Sequence, residues 1–258
     1  MDLGLKDRVV LIAGSSRGIG KAAAWAFLAE GCRTIITGRN TESLAETKHE
    51  LEQEFGAEQM MACMGDLSQT AVIHAVLGQI RNRWGGLDCV VANIGSGRGT
   101  PGWQLTETDW AKAFEVNLWG SSRLVTEVLP DMVQARRGSI VLVVSIVGLE
   151  STPAPMPYSA AKAALVSFGK NLARSVGPSN VRVNCVAPGN VLFPGGSWEK
   201  HLGERGEAVR GFINTEVPLQ RFGRPEEIAN VIVFLSSDRA AFVTGACVVV
   251  DGGQTRGV

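Results

Sequence analysis

Short apolar runs alternate along the chain with longer stretches in which apolar positions recur every three to four residues. Residues 8–13 form the first run, which ends in a glycine-rich turn. A helical pattern follows to Glu30, with Gly31 as its stop. Further strand-like runs lie at 34–37, 59–63, 87–91, 140–144, 181–187 and 248–250. Helical patterns fill the intervals. Asn40 is placed to cap one that runs to Phe55 and stops at Gly56, and Ser68 is placed to cap another that runs to Trp84. Thr106 followed by Asp109 resembles a capping box at the head of a long helical stretch towards Arg136, in which Pro130 predicts a kink or break. Residues 158–176 are helical and closed by Gly177-Pro178, and Pro225 opens a helix to Leu235.

Strands alternating with helices build βαβ units, hence a parallel sheet. Continuous apolar strands such as IVLVV at 140–144 mean that both sheet faces are covered. The prediction is an α/β fold, doubly wound, with about seven parallel strands and helices on both faces, in a single domain over 1–258. Residues 190–217 break the alternation and carry Gly195, Gly196, Gly203, Gly206 and Gly211. An insertion of that length is expected to be functional, as a lid beside a substrate.

Composition narrows the function. The 258 residues hold 25 Lys+Arg and 25 Asp+Glu, a formal charge of zero, so no nucleic-acid or anionic-membrane partner held by bulk electrostatics is expected. No apolar run approaches the roughly 18–20 residues that span a bilayer. The first residues, MDLGLKDRVV, lack the layout of a signal peptide. His49, His74 and His201 are far apart, and the five cysteines form no CxxC pair, so no metal site is expected. Cys89, Cys185 and Cys247 sit in strand-like runs and read as packing residues, consistent with a reducing cytoplasm.

Residues 13–20 read AGSSRGIG, directly after the first strand and opening a helix. Gly14, Gly18 and Gly20 allow a tight turn and a close approach of phosphate to backbone. Ser16, Arg17 and Ile19 lie in the same turn, and the helix N-terminus offers free N–H groups. The strand–turn–helix setting predicts a dinucleotide site of the Rossmann type and not a plain tight turn. A carboxylate at the end of the second strand would take a ribose 2′-OH and select NAD. Thr37-Gly38-Arg39 stands there instead, so Arg39, with Arg17 nearby, is expected to pair with a 2′-phosphate, and NADP(H) is favoured over NAD(H). Asp66 and Leu67, at the end of the third strand, are expected beside the adenine.

Tyr158 is the only tyrosine, and Lys162 follows it four residues on in a helical pattern, which puts both on one face. A phenol ionises near pH 10, and one opposite charge lowers a pKa by about one to three units. The pair therefore suits general acid–base chemistry at a carbonyl or alcohol. Ser145 follows the strand 140–144, on the side where open α/β sheets bind ligands, and its hydroxyl suits a substrate oxygen. Asn117 lies in FEVNLWG, where its amide suits a water that relays protons to Lys162. A serine hydrolase does not fit, because VVSIV is not GxSxG.

With these motifs in place, the chain resembles the short-chain dehydrogenases/reductases over essentially its whole length, and within them the 3-oxoacyl-carrier-protein reductases. AGSSRGIG resembles the family's TGxxxGxG, and ANIG at 92–95 its NNAG. Asn117, Ser145, Tyr158 and Lys162 match its Asn-Ser-Tyr-Lys tetrad, Pro188-Gly189 matches its PG, and VDGG matches its C-terminal turn. The resemblance implies hydride transfer between a nicotinamide and a carbonyl or secondary alcohol. In it Tyr158 is acid and base, Ser145 holds the oxygen, Lys162 binds the ribose, and Asn93, Gly95, Pro188, Gly189 and Val191 contact the cofactor. It also implies a homotetramer or homodimer. Three departures stand out: Ala13 replaces a threonine that braces the turn, Ala92 and Ile94 alter the NNAG segment, and Phe193 stands where a threonine grips the carboxamide. Trp103, Leu149 and Trp198 follow strand ends and are expected to line the substrate pocket, while Arg98 reads as a solvated loop charge.

Overall fold

Each apolar run becomes a parallel strand because its side chains alternate between two covered faces. In a computed structural model, which describes residues 1–257, Val9, Leu11 and Ala13 point into one core while Val10 and Ile12 point into the other. The strands are β1 (Val9–Ile12), β2 (Arg33–Gly38), β3 (Met60–Met64), β4 (Cys89–Ala92), β5 (Gly138–Val143), β6 (Val181–Pro188) and β7 (Cys247–Val250). They form one parallel sheet in the order β3-β2-β1-β4-β5-β6-β7. The order reverses between β1 and β4, so the crevice outside their carboxyl ends is where such a sheet takes a ligand.

One face is covered by α3 (Thr70–Trp84), α5 (Gly120–Ala135) and α6 (Met156–Val176), through rows such as Ile73, Val76 and Leu77. The other is covered by α1 (Gly18–Ala29), α2 (Thr41–Phe55) and α8 (Pro225–Ser236), with Phe27 and Ile232 fully buried. Local chemistry sets several ends. Asn40 accepts from the Ser43 N–H at 2.8 Å, and Gly56 stops α2 with φ of 82°. Thr106 and Asp109 form the capping box of α4 (Glu107–Phe114).

Four elements differ from the reading above. Ser68 does not cap α3: the helix opens after Gln69, whose side-chain amide donates to the Ser68 hydroxyl at 3.3 Å. Pro130 sits inside α5 without ending it. The long helix is interrupted earlier, by a π-helical segment at Glu115–Trp119 that contains Asn117. Residues 190–217 are largely helical: α7 (Ser197–Glu216) departs from helical geometry at Arg205 and buries Val209 and Ile213. No helix among the described residues is long and apolar enough to cross a membrane.

Candidate active site

The phosphate turn is held in shape by hydroxyls on both flanks. The Ser15 hydroxyl accepts from the Thr37 N–H at 2.7 Å and donates to the Ile12 carbonyl at 2.9 Å. The Thr37 hydroxyl donates to the same carbonyl at 3.0 Å and accepts from the Gly14 N–H at 3.3 Å. Asn93 closes the third side by donating to the Gly14 carbonyl at 3.0 Å. The bracing that a threonine at position 13 would supply therefore comes from Thr37, Ser15 and Asn93. Neither Thr37 nor Ser15 stood out in the sequence, because their partners lie across the sheet. A side chain at Gly20 would collide with the Gly14 carbonyl, so that position needs glycine for space.

One cleft of about 1070 Å³ runs along the carboxyl ends of the strands. Gly14, Ser16, Arg17, Ile19, Arg39, Asp66 and Leu67 line one end; Asn93, Gly95, Ser145, Tyr158, Lys162, Pro188, Gly189, Val191 and Trp198 line the rest. Gly18 and Gly20 lie behind the lining, and the Phe193 ring covers Gly18 so closely that a Cβ there would sit 2.7 Å from it. Trp103 is 78% exposed and Leu149 40% exposed, and the structure places neither in the lining, unlike the sequence-based expectation. Both follow strand ends, but their loops turn their side chains to solvent.

At the first end, Arg39 lies 3.5 Å from Asp66. Burial acts to raise the Asp66 pKa, but the Ser68 N–H and hydroxyl and the Arg39 charge outweigh it and hold the carboxyl below its usual range. Arg17 does not extend towards Arg39's partner: its guanidinium donates to the Gly195 carbonyl at 3.1 Å, tying the turn to the loop before α7. The first turn of α1 has no side-chain cap, which leaves its N–H groups for an anion. An uncapped helix start, a glycine turn and an arginine at the β2 end together fit a dinucleotide phosphate chain and a 2′-phosphate.

At the other end, Ser145 follows β5 and opens a 3₁₀ turn, Ile146–Gly148. Tyr158 and Lys162 stand one turn apart on α6. The Lys162 ammonium, only 3% exposed, donates to the Val143 carbonyl at 2.9 Å, which ties α6 to the strand end that carries Ser145. Burial pulls the Lys162 pKa down to about 8. Burial pushes the Tyr158 phenol above its ordinary value, against a smaller downward pull from the Ser145 hydroxyl. In the protein alone the phenol is thus not the acidified group that the sequence spacing suggests. The lysine donates to backbone, and a positive charge brought beside the phenol would act to lower it.

Asn117 lies behind the cleft wall. Its carbonyl oxygen accepts from the Ser96 N–H at 2.8 Å and its amide donates to the Ala113 carbonyl at 3.0 Å. The side chain thus ties the loop after β4 to the helical segment that carries it. Gly95 runs between Asn117 and Lys162, where a Cβ would meet the Oδ1 of one and the Nζ of the other at 2.9 Å each.

The family model described as enoyl-(acyl carrier protein) reductase matches residues 13–255. The 3-oxoacyl-(acyl-carrier-protein) reductase FabG of Chlamydia muridarum is 34% identical over 252 residues, 97% of this chain and 98% of the relative. That of Aquifex aeolicus is 34% identical over 254 residues, 98% and 100% of the two chains. Among solved structures, an L-sorbose reductase from Gluconobacter frateurii, complexed with NADPH and L-sorbose, is similar with a TM-score of 0.91 and 32% identity, covering 100% of both chains.

Proposed function

This chain belongs to the short-chain dehydrogenase/reductase family of oxidoreductases, and from that premise we propose that it reduces a ketone to a secondary alcohol with NADPH. The observation that carries the reading is the meeting of two devices in one cleft: a braced phosphate turn with Arg39 at one end, and Ser145, Tyr158 and Lys162 at the other. The cofactor, when bound, supplies hydride to the carbonyl carbon. The Tyr158 hydroxyl gives a proton to the carbonyl oxygen, and the Ser145 hydroxyl holds that oxygen as negative charge gathers on it. Lys162 supplies the buried positive charge beside them, and Asn117 is a positioning residue that keeps the Gly95–Ser96 backbone against Lys162.

NADPH is preferred over NADH because Arg39, and no carboxylate, ends β2. The similar L-sorbose reductase complexed with NADPH supports that choice. Gly14, Ser16 and Ile19 line the phosphate end, and Pro188, Gly189 and Val191 line the wall beyond the catalytic groups. The working assembly is a homotetramer or homodimer, which sedimentation of the purified chain reads directly.

The test is reduction of simple ketones with each reduced cofactor. NADPH consumption that disappears in Tyr158→Phe, with NADPH affinity nearly unchanged, is the expected result. Wild-type rates in Tyr158→Phe would remove the proposed role of the phenol.

A further inference from the structure

Charge is distributed unevenly along the cleft. Its phosphate end carries Arg17, Arg39 and Asp66, whereas beyond Tyr158 and Lys162 the lining is built from the Thr152–Pro155 loop, Asn190, Trp198, His201, Phe212 and Gln254. The lysine and arginine side chains that line the cleft are Arg17, Arg39 and Lys162. Arg17 is held on Gly195, Arg39 faces Asp66, and Lys162 is buried on Val143. The Asn190 amide donates to the Gln254 carbonyl oxygen at 2.7 Å. His201, the one further titratable group there among the described residues, has the exposed Arg205 guanidinium 3.4 Å and Glu204 3.9 Å from its Nδ1.

Trp198 is the centre of this half. Its ring is stacked on Phe212 at 6.0 Å and 17°, tilted against Phe222 at 5.5 Å, and edge-on to His201 at 5.7 Å. Three rings hold the indole in place while it lines the cleft, so it loses little freedom when a substrate packs against it. Pro153, Ala154 and Pro155 add a short, stiff, apolar stretch to the same lining.

We propose that the substrate of this site is a neutral ketone bearing a flat ring, held on Trp198, and not a carboxylate or the phosphate-bearing thioester of a carrier protein. The inference rests on the reductase reading above and deepens it. Apart from Lys162, held on the Val143 carbonyl, no lysine or arginine lines this half of the cleft, so an anionic group would leave water without a partner built for it, whereas a ring gains by burial and stacking. Trp198 is then a specificity-determining residue.

The experiment measures kcat/KM with NADPH for butanone, acetophenone, para-acetylbenzoate and the acetoacetyl thioester of N-acetylcysteamine. Acetophenone is expected to exceed each of the other three by about tenfold or more, the size of one stacking contact plus ring burial. Trp198→Ala is expected to lower acetophenone turnover about tenfold more than butanone turnover, and Trp198→Phe to restore most of that difference. The proposal is overturned if the thioester or the benzoate matches acetophenone, or if Trp198→Ala lowers acetophenone and butanone alike. The wild-type panel decides the matter even if Trp198→Ala fails to fold. Failure of all four compounds would instead overturn the reductase reading, a different outcome from a changed ranking among them.

Discussion

The Lys162 ammonium donates a 2.9 Å hydrogen bond to the carbonyl of Val143, two residues before Ser145. Through that bond the helix carrying Tyr158 and the strand carrying Ser145 are held together by the one buried cation of the catalytic end. The same arrangement is costly in the free protein, because burial holds the lysine down to about 8.

Lys162→Met should therefore separate stability from function. The folded-state pKa lies below the unfolded value of 10.5, so wild type bears the full penalty below about pH 8 and sheds it as pH rises from there towards 10.5. At pH 7 the cofactor-free variant is expected to be more stable by about 1–3 kcal/mol, after allowing for the lost hydrogen bond. The gain should shrink as pH climbs through that window. Turnover should fall by roughly a hundredfold or more. Urea titrations at neutral and alkaline pH, beside initial rates, measure both effects.

Gly95→Ala should damage the site while leaving the fold. The added methyl would lie 2.9 Å from both the Asn117 Oδ1 and the Lys162 Nζ, closer than packing permits, so one of the two must move. The expected outcome is a large fall in kcat with a near-native circular dichroism spectrum. Unchanged kcat would show that the spacing of these groups does not matter to the chemistry.

Much of this frame was legible because it is decided locally. The caps at Asn40 and Thr106, the stop at Gly56 and the Tyr158–Lys162 spacing each need only neighbours along the chain. What was not legible depends on distant partners. The π-helical segment at Glu115–Trp119 holds Asn117 towards Ser96, a loop residue 21 positions away. The glycines of 190–217 marked only a break in the alternation, although Val209 and Ile213, buried one turn apart, carried the helical signal. Trp103 and Leu149 show that following a strand end in sequence does not bring a side chain into the cleft.

Arg39→Asp should exchange cofactor preference. The new carboxylate would stand beside Asp66, which now lies 3.5 Å from Arg39, and would repel a 2′-phosphate while offering an acceptor to a ribose hydroxyl. NADPH binding should weaken by about tenfold or more, the size of a lost charge-assisted hydrogen bond, with NADH binding held or improved. Fluorescence titration with both cofactors checks it, and an unchanged ratio would contradict the assignment of Arg39.

Because Tyr158 is the only tyrosine of the chain, its ionisation can be followed by phenolate absorbance with no other tyrosine contributing. Burial raises this phenol in the protein alone, and a positive charge brought next to it favours the phenolate. Titration should give a midpoint above the ordinary phenol value of about 10 without cofactor, and a lower one, by about one unit or more, with NADP⁺ bound. A midpoint no lower with NADP⁺ saturating the protein than without it would contradict acid–base catalysis by Tyr158.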